Sequence, residues 1–476
     1  MSKETGRLQL FIDSLKQWNI REDSQFDGRE KLITPEQSRD VAEAIVSLLD
    51  RSNQKYFMIS GDARVSTPFI LKEMIGEMTS RGINILNVGY GNTTPLFETQ
   101  RESIGVSGLN ITASHQTWEH NGFKLFLTAN PNPLNIQSLI RTPGCFTNEG
   151  APGKIHHVQQ VLRQNYIDGL DKILGKVDFE GKILFDAMQG TSAWFFSEIA
   201  RRKGLSFDLI RAESDGYFSL TKKGPDPSSE NFDLVAKIKN SHLGDYNFIA
   251  MADGDGDRFG LAFPTEFVEN PHVAALRAEF SGRDKFVAEY CLASIIEGYL
   301  AEKGIQVIGV KRGRKSHRAA CKRYEACGSE MGPHNYNAEG VDDAVRNTFE
   351  IIGIAKQLEA RGETLHEKLR NIAKSTRKFI PELRANVSAP AKEIVERFAK
   401  SYSMGSYIDG FSLEKNHMAL YLRGSSNENQ VTLNFNYRRE VLPGEVEIVL
   451  AKVFKRLDSI EEGLGARLKE DYRGPA

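Results

Sequence analysis

A chain of 476 residues is too long for one ordinary core and implies about three or four domains. Its net charge of -1, with 26% of residues charged, leaves no global field to draw it to nucleic acid or to a membrane. Four cysteines without a Cys-x-x-Cys pair argue against a disulfide framework or a zinc finger and for reduced thiols in the cytoplasm. The first ten residues lack a signal-peptide core, and no segment approaches the roughly 20 apolar residues of a membrane span.

In chain order, Thr34-Pro35-Glu36-Gln37 is a capping box with proline at the first helical position, and Val41, Ile45, Leu48 and Leu49 continue it as an apolar stripe. A strand over 56–60, a helix over 68–81 stopped by Gly82 and a strand over 83–88 make a strand-helix-strand unit. A short apolar strand then leads into Thr112-Ala113-Ser114-His115-Gln116-Thr117, and Asn121-Gly122 is expected to turn the chain into a second apolar run over 123–127. Ser114 is no hydrolase nucleophile, because Thr112 and Gln116 stand where a nucleophile elbow needs glycines. The alternation returns with a strand over 182–188, a helix over 192–203, a strand over 206–212 and a helix over 232–240.

The apolar stretch 246–251 runs into Ala252-Asp253-Gly254-Asp255-Gly256-Asp257-Arg258. Three carboxylates at alternate positions of a loop turn hard oxygens toward one point, which suits Mg2+. An EF-hand is excluded, since Arg258 and Pro264 occupy the positions of its glycine and its acidic twelfth ligand. A cation with a guanidinium beside it fits a phosphorylated substrate, because both neutralise phosphoryl oxygens. A third unit follows, with a helix over 286–303, a strand over 306–311 and a helix over 342–358. After Pro381 a helix over 392–402, strands over 417–422 and 430–436 and a helix over 445–460 read as an α+β closing domain.

These loops, in this order, resemble the signatures of the alpha-D-phosphohexomutase family, which includes phosphoglucomutase and phosphomannomutase. Thr112-Ala113-Ser114-His115 resembles its phosphoserine loop, with Gln116-Thr117 in place of Asn-Pro, and Asn121-Gly122-Phe123-Lys124 follows it. The Asp253 to Arg258 run is similar to its metal loop. Phe26-Asp27-Gly28-Arg29, Gly61-Asp62-Ala63-Arg64-Val65-Ser66, Thr94-Pro95 and Gly224-Pro225-Asp226-Pro227 resemble further turns of the family. Arg423-Gly424-Ser425-Ser426-Asn427-Glu428 resembles its phosphate loop, with asparagine for threonine. The sugar-selecting loop has a divergent counterpart in Gly328-Ser329-Glu330-Met331-Gly332-Pro333-His334.

The resemblance implies four domains around a central cleft, three α/β domains with mixed sheets and a C-terminal α+β domain, over 1–154, 155–264, 265–376 and 377–476. It implies a phosphosugar mutase of the hexose 1-phosphate/6-phosphate type that works through phosphoserine and a sugar bisphosphate, which also serves as activator. Ser114 would carry the phosphoryl group and, with Asp253, Asp255 and Asp257, hold Mg2+. Lys124, Arg29 and His115 would serve proton transfer and charge balance, and Arg258 would orient the phosphoserine. Glu330 and His334 would read the sugar, while Arg423, Ser425, Ser426 and Asn427 would hold the remote phosphate. The basic cluster Lys311-Arg312-Gly313-Arg314-Lys315 reads as a solvated helix start, with a phosphate contact as the alternative. The substitutions at Gln116-Thr117, Asn427 and the Glu330 loop leave open a paralogue that binds or otherwise transforms a phosphosugar. The expected assembly is a monomer or homodimer in the cytoplasm.

Overall fold

The structure is a computed structural model that describes residues 24–129, 131–149, 152–238, 242–402, 406–407, 410–424, 430–470 and 472. For 24–31, 148–149, 242, 381 and 406–407 it describes the backbone alone. Residues divide into two compact units: 1–269 with 333–335 and 341–364, and 270–332 with 336–340 and 365–476.

The first unit holds two sheets. In the first, the parallel strands Tyr56–Gly61, Asn84–Gly89 and Gly108–Ile111 lie side by side, and Ser24–Lys31 and His120–Leu127 extend the sheet antiparallel. The expected capping box starts the helix Pro35–Arg51: Gln37 N donates to Thr34 Oγ1 while the Gln37 side chain receives Thr34 N. That helix buries Val41, Ile45, Leu48 and Leu49 against the sheet with Ile70, Met74 and Met78 of the helix Thr67–Ser80. The second sheet is mixed, its parallel strands Ser206–Ile210, Lys182–Asp186 and Phe248–Ala252 followed by Phe259–Phe263 and Glu266–Val268 antiparallel. The loops at the carboxyl ends of such parallel strands are where α/β sheets gather their functional residues.

In the second unit Gln306–Val310, Lys285–Glu289 and Gly328–Ser329 run parallel. A separate antiparallel sheet of Lys378–Asn386, Gln430–Tyr437, Met418–Gly424, Phe411–Lys415 and Ser406–Tyr407 packs on the helices Ala391–Ala399 and Pro443–Asp458.

Three elements differ from the sequence reading. Asn121-Gly122 is not a turn but lies inside the strand His120–Leu127, and the reversal is made by the Ser114 loop itself. The Asn121 amide is taken up by the hydroxyls of Ser66 and Thr67, which fixes it in the strand. The segment expected as one helix over 286–303 is the strand Lys285–Glu289 followed by the helix Tyr290–Ala301, because the short apolar run Phe286-Val287-Ala288 fits a buried parallel strand as well as a helix. The strand Lys378–Asn386 escapes a sequence reading because Pro381 interrupts it, at the place where its register with Gln430–Tyr437 shifts. Among the described residues no helix is long and apolar enough to cross a membrane, and all four cysteines are free thiols.

Candidate functional site

Ser114 follows the strand Gly108–Ile111 and sits in the left-handed region at φ 53°. For a residue with a Cβ that conformation costs on the order of 1 kcal/mol or more, so it persists only where its surroundings impose it. The imposing group is Arg64, which is fully buried. Its Nη2 donates to the carbonyls of Ser114 at 2.6 Å and Gln116 at 2.9 Å, and its Nη1 to those of Thr117 at 2.7 Å and His120 at 3.0 Å. Its Nε donates to Asp62 Oδ2 at 3.0 Å. Asp62 also accepts from the Arg64 main chain and from the Thr67 and Thr112 hydroxyls. Burial pushes the Asp62 carboxyl up, opposed first by the Arg64 charge. A planar five-donor fork suits this role, since a lysine could meet only part of the set.

Held this way, Ser114 Oγ donates to Asp253 Oδ2 at 2.8 Å. The approach depends on glycine: a Cβ on Gly254 would stand 2.8 Å from the Ser114 carbonyl oxygen. Asp253, Asp255 and Asp257 are all fully buried, and one ligand oxygen from each lies within 4.8 Å of the others. Asp253 Oδ1 receives the main-chain N–H groups of Asp257 and Arg258, closing the loop on itself. Asp255 Oδ2 receives Thr94 Oγ1 at 2.6 Å and Lys124 Nζ at 2.8 Å, and the same ammonium donates to Asp257 Oδ2 at 2.6 Å. Burial, then the charges of Asp257 and Asp255, push the Asp253 carboxyl well above the usual carboxylate range. Burial and Asp257 press the Asp255 carboxyl upward too, but the Lys124 ammonium and the Thr94 hydroxyl hold it below its ordinary value. Asp255 Oδ1 is buried with no hydrogen-bond partner among the described residues. A cluster of hard oxygens short of positive charge, one of them with its lone pairs unclaimed, fits a hard dication such as Mg2+.

The other expected residues fall as follows. His115 Nδ1 is 3.5 Å from Ser114 Oγ, at the limit of a hydrogen bond. Arg29 pairs with Gly122 through the backbone, and its side chain lies outside the described residues. Arg258 donates to Asp226 Oδ1 at 2.7 Å and to His334 Nε2 at 3.1 Å. His334 and Glu330 belong to different compact units. In its own unit Glu330 is buried, its Oε1 receiving Tyr336 Oη at 2.7 Å and Gly313 N at 3.3 Å. Arg312 Nε is 3.6 Å from Glu330 Oε2, and the same guanidinium pairs with Glu382. Thus Arg312 is not part of a solvated helix start but a half-buried ion-pair partner, although a helix does begin beside it at Arg314–Tyr324. Against the upward push of burial, Arg312 first, then Arg384 and Arg423, hold the Glu382 carboxyl well below its usual range. Arg423 is half-buried on the strand Met418–Gly424, while Ser425, Ser426 and Asn427 lie outside the described residues.

Sequence reasoning saw the turns that contain Asp62, Arg64, Thr94 and Asp226 without giving these side chains a task. Asp342, which accepts from His334 Nδ1 at 2.6 Å, was read only as the start of a helix.

Comparison with known proteins follows the same lines. Residues 20–140 match the family model for phosphoglucomutase/phosphomannomutase, alpha/beta/alpha domain I, and residues 164–266 match that for domain II. The phosphoglucomutase of Neisseria gonorrhoeae is 25% identical over 392 residues, covering 78% of this chain and 81% of that protein. A phosphoglucomutase/phosphomannomutase family protein from Burkholderia thailandensis shares the fold with a TM-score of 0.71 at 18% identity, over 92% of this chain and 97% of that one. The N-acetylphosphoglucosamine mutase of Aspergillus fumigatus, determined with GlcNAc-6P and magnesium, has a TM-score of 0.55 at 12% identity, over 98% and 99%. The fold is thus that of the phosphosugar mutases with several α/β sheets. Residues 20–140 and 164–266 match the first two domains of the phosphoglucomutase/phosphomannomutase family, and the chain is similar to members of that family over most of its length.

Proposed function

We propose that the protein is a phosphosugar mutase, an intramolecular phosphotransferase that moves a phosphoryl group between two hydroxyls of a sugar through phosphorylated Ser114. The observation that carries this reading is the Ser114 hydroxyl bonded to Asp253 at the edge of three buried carboxylates, two of which, Asp255 and Asp257, share the one ammonium of Lys124. Asp253, Asp255, Asp257 and Ser114 would hold Mg2+, which when bound neutralises charge on phosphoryl oxygens.

The chain's own residues supply the rest. The phosphoserine P–O bond breaks as a substrate hydroxyl oxygen bonds to phosphorus, and the proton of that hydroxyl passes to a neighbouring base. Lys124, His115 and Arg29 are the candidates for that transfer and for charge balance. The sugar bisphosphate so formed turns in the site, and its other phosphoryl group returns to Ser114, leaving the isomeric monophosphate. Added sugar bisphosphate would prime an unphosphorylated Ser114 and so act as activator. Arg423, with Ser425, Ser426 and Asn427, is suited to the phosphate that does not transfer. The four sheets, one after another along the chain, support a reading as four domains near 1–154, 155–264, 265–376 and 377–476, although the strand Lys154–His157 belongs to the first sheet and Glu266–Val268 to the second.

A second reading has its own support. Glu330 is engaged by Tyr336, Gly313 and Arg312, so its carboxylate has little capacity left for a sugar hydroxyl. A paralogue that binds or transforms a phosphosugar without isomerising it fits that arrangement. Intact-mass measurement before and after exposure to glucose 1,6-bisphosphate, with phosphorus NMR of a panel of hexose and hexosamine 1-phosphates, decides between the two. One added phosphoryl unit on Ser114 together with isomerisation of at least one sugar is the expected result. A binding protein would bind the sugars and show neither.

A further inference from the structure

Arg258 directly follows the three aspartates, and its guanidinium is anchored at two of its three nitrogens. Nη1 donates to Asp226 Oδ1 at 2.7 Å, and Nε donates to His334 Nε2 at 3.1 Å. The third, Nη2, makes no hydrogen bond among the described residues. Because the group is planar and rigid, two anchors fix both its plane and the direction of the remaining N–H bonds. The backbone keeps the anchor in register: Phe259 N donates to the Pro333 carbonyl at 2.9 Å, and Arg258 and His334 face each other as an antiparallel bridge.

The hydrogen-bond roles determine the state of His334. An arginine Nε–H can only donate, so His334 Nε2 must accept and the ring proton must sit on Nδ1. Nδ1 then donates to the fully buried Asp342 at 2.6 Å, while Asp257 Oδ1 is farther off at 3.6 Å. A ring with both nitrogens engaged inside the protein has no polar atom left to recognise a sugar hydroxyl.

We propose that His334 is a positioning residue rather than a sugar-reading one: oriented by Asp342, it works with Asp226 to hold Arg258 so that Nη2 meets a phosphoryl oxygen. This rests on the reading that Ser114 carries phosphate, and it separates His334 from Glu330, its neighbour in the sequence motif.

Two near-isosteric substitutions test it. A glutamine oxygen lies where His334 Nε2 lies, as many bonds from the backbone, so His334→Gln keeps the acceptor for Arg258 and loses the donor to Asp342. His334→Asn keeps only the Asp342 side. The expected result is a fall in kcat of about 10- to 100-fold for His334→Asn, equal for glucose 1-phosphate and mannose 1-phosphate, since a misplaced contact of about 1 Å has that scale. His334→Gln should recover to within about tenfold of wild type, and Arg258→Ala with His334→Asn should be no worse than Arg258→Ala alone. A change in the preference between the two sugars, or additive losses in the double variant, would overturn the proposal.

A readout independent of turnover is the Arg258 Nε–H proton in nitrogen-15 arginine spectra. It should exchange with solvent at least about tenfold faster in His334→Asn than in wild type or His334→Gln. Equal exchange in all three overturns the clamp. If wild type neither isomerises sugars nor takes phosphate on Ser114, the mutase reading falls, and the exchange rates still decide the clamp.

Discussion

The unit that carries Ser114 and the unit that carries Glu330 handle buried charge in opposite ways. In the first, carboxylates from one loop are gathered with a single lysine between two of them, and Asp255 Oδ1 remains buried without a partner among the described residues. In the second, Glu330, Glu382 and Arg312 answer one another, with Tyr336 and the Gly313 amide completing Glu330. An unsatisfied cluster persists only where it gains something on binding, whereas a satisfied one holds a fold together. The difference supports the chemistry proposed for the first region and speaks for scaffolding at Glu330, a position that in the motif would select the sugar.

The sharpest break of this contrast is at the serine. Ser114→Ala should lower isomerisation by at least about 10³-fold and abolish the added phosphoryl mass, with the melting temperature nearly unchanged because the Arg64 contacts go to carbonyls. Turnover that survives would mean that phosphate travels by another group.

The oxygen cluster is next. Asp255→Asn keeps the shape and removes one charge, so Mg2+ affinity measured by calorimetry should fall by at least about tenfold, with activity falling alongside. Unchanged affinity would make the three aspartates a polar loop and dissolve the contrast.

Asp343 tests whether charge near this loop is held at a cost. It caps the helix Ala344–Glu359, whose first N–H donates to the Gly256 carbonyl, and it accepts from Tyr166 Oη at 2.6 Å. Burial raises its carboxyl from 3.8 to about 6. The folded state therefore keeps a proton that the unfolded chain releases, so this contribution to stability is full below 3.8 and is lost as pH rises toward 6. Asp343→Asn, still a competent cap, should flatten that dependence in urea titrations and gain up to about 3 kcal/mol at pH 7. Loss of stability at neutral pH would show that the charge itself is needed.

The smallest effect is expected at Glu330. Glu330→Gln should destabilise by about 1 to 2 kcal/mol, from the weakened Arg312 and Tyr336 contacts, and leave the ranking of sugar phosphates unchanged. A reordered ranking would return this residue to sugar recognition.

Much of the first region was legible in the sequence because its residues sit on turns with fixed spacing. Alternate aspartates after an apolar strand, Thr34 ahead of Gln37 and glycines at close approaches are local signals with local causes. Asn121-Gly122 misled because a turn dipeptide was judged without the hydroxyls of Ser66 and Thr67, more than fifty residues away, that hold it in a strand. His334 and Glu330 were read as a pair for a similar reason. Four residues apart in one motif, they belong to different units, and only the folded chain reveals that Asp342 and Tyr336 are their respective partners.

Arg64 has a consequence for how this protein can change. It grips the Ser114 loop through four main-chain oxygens, which every amino acid supplies. The side chains at 116 and 117 are therefore not what keeps Ser114 in its left-handed conformation, and Gln116-Thr117 can stand where the family signature has Asn-Pro. A loop anchored by its peptide groups can be rewritten in sequence while its reacting atom stays in place, which makes these two positions the natural ones to diversify when a new substrate is sought.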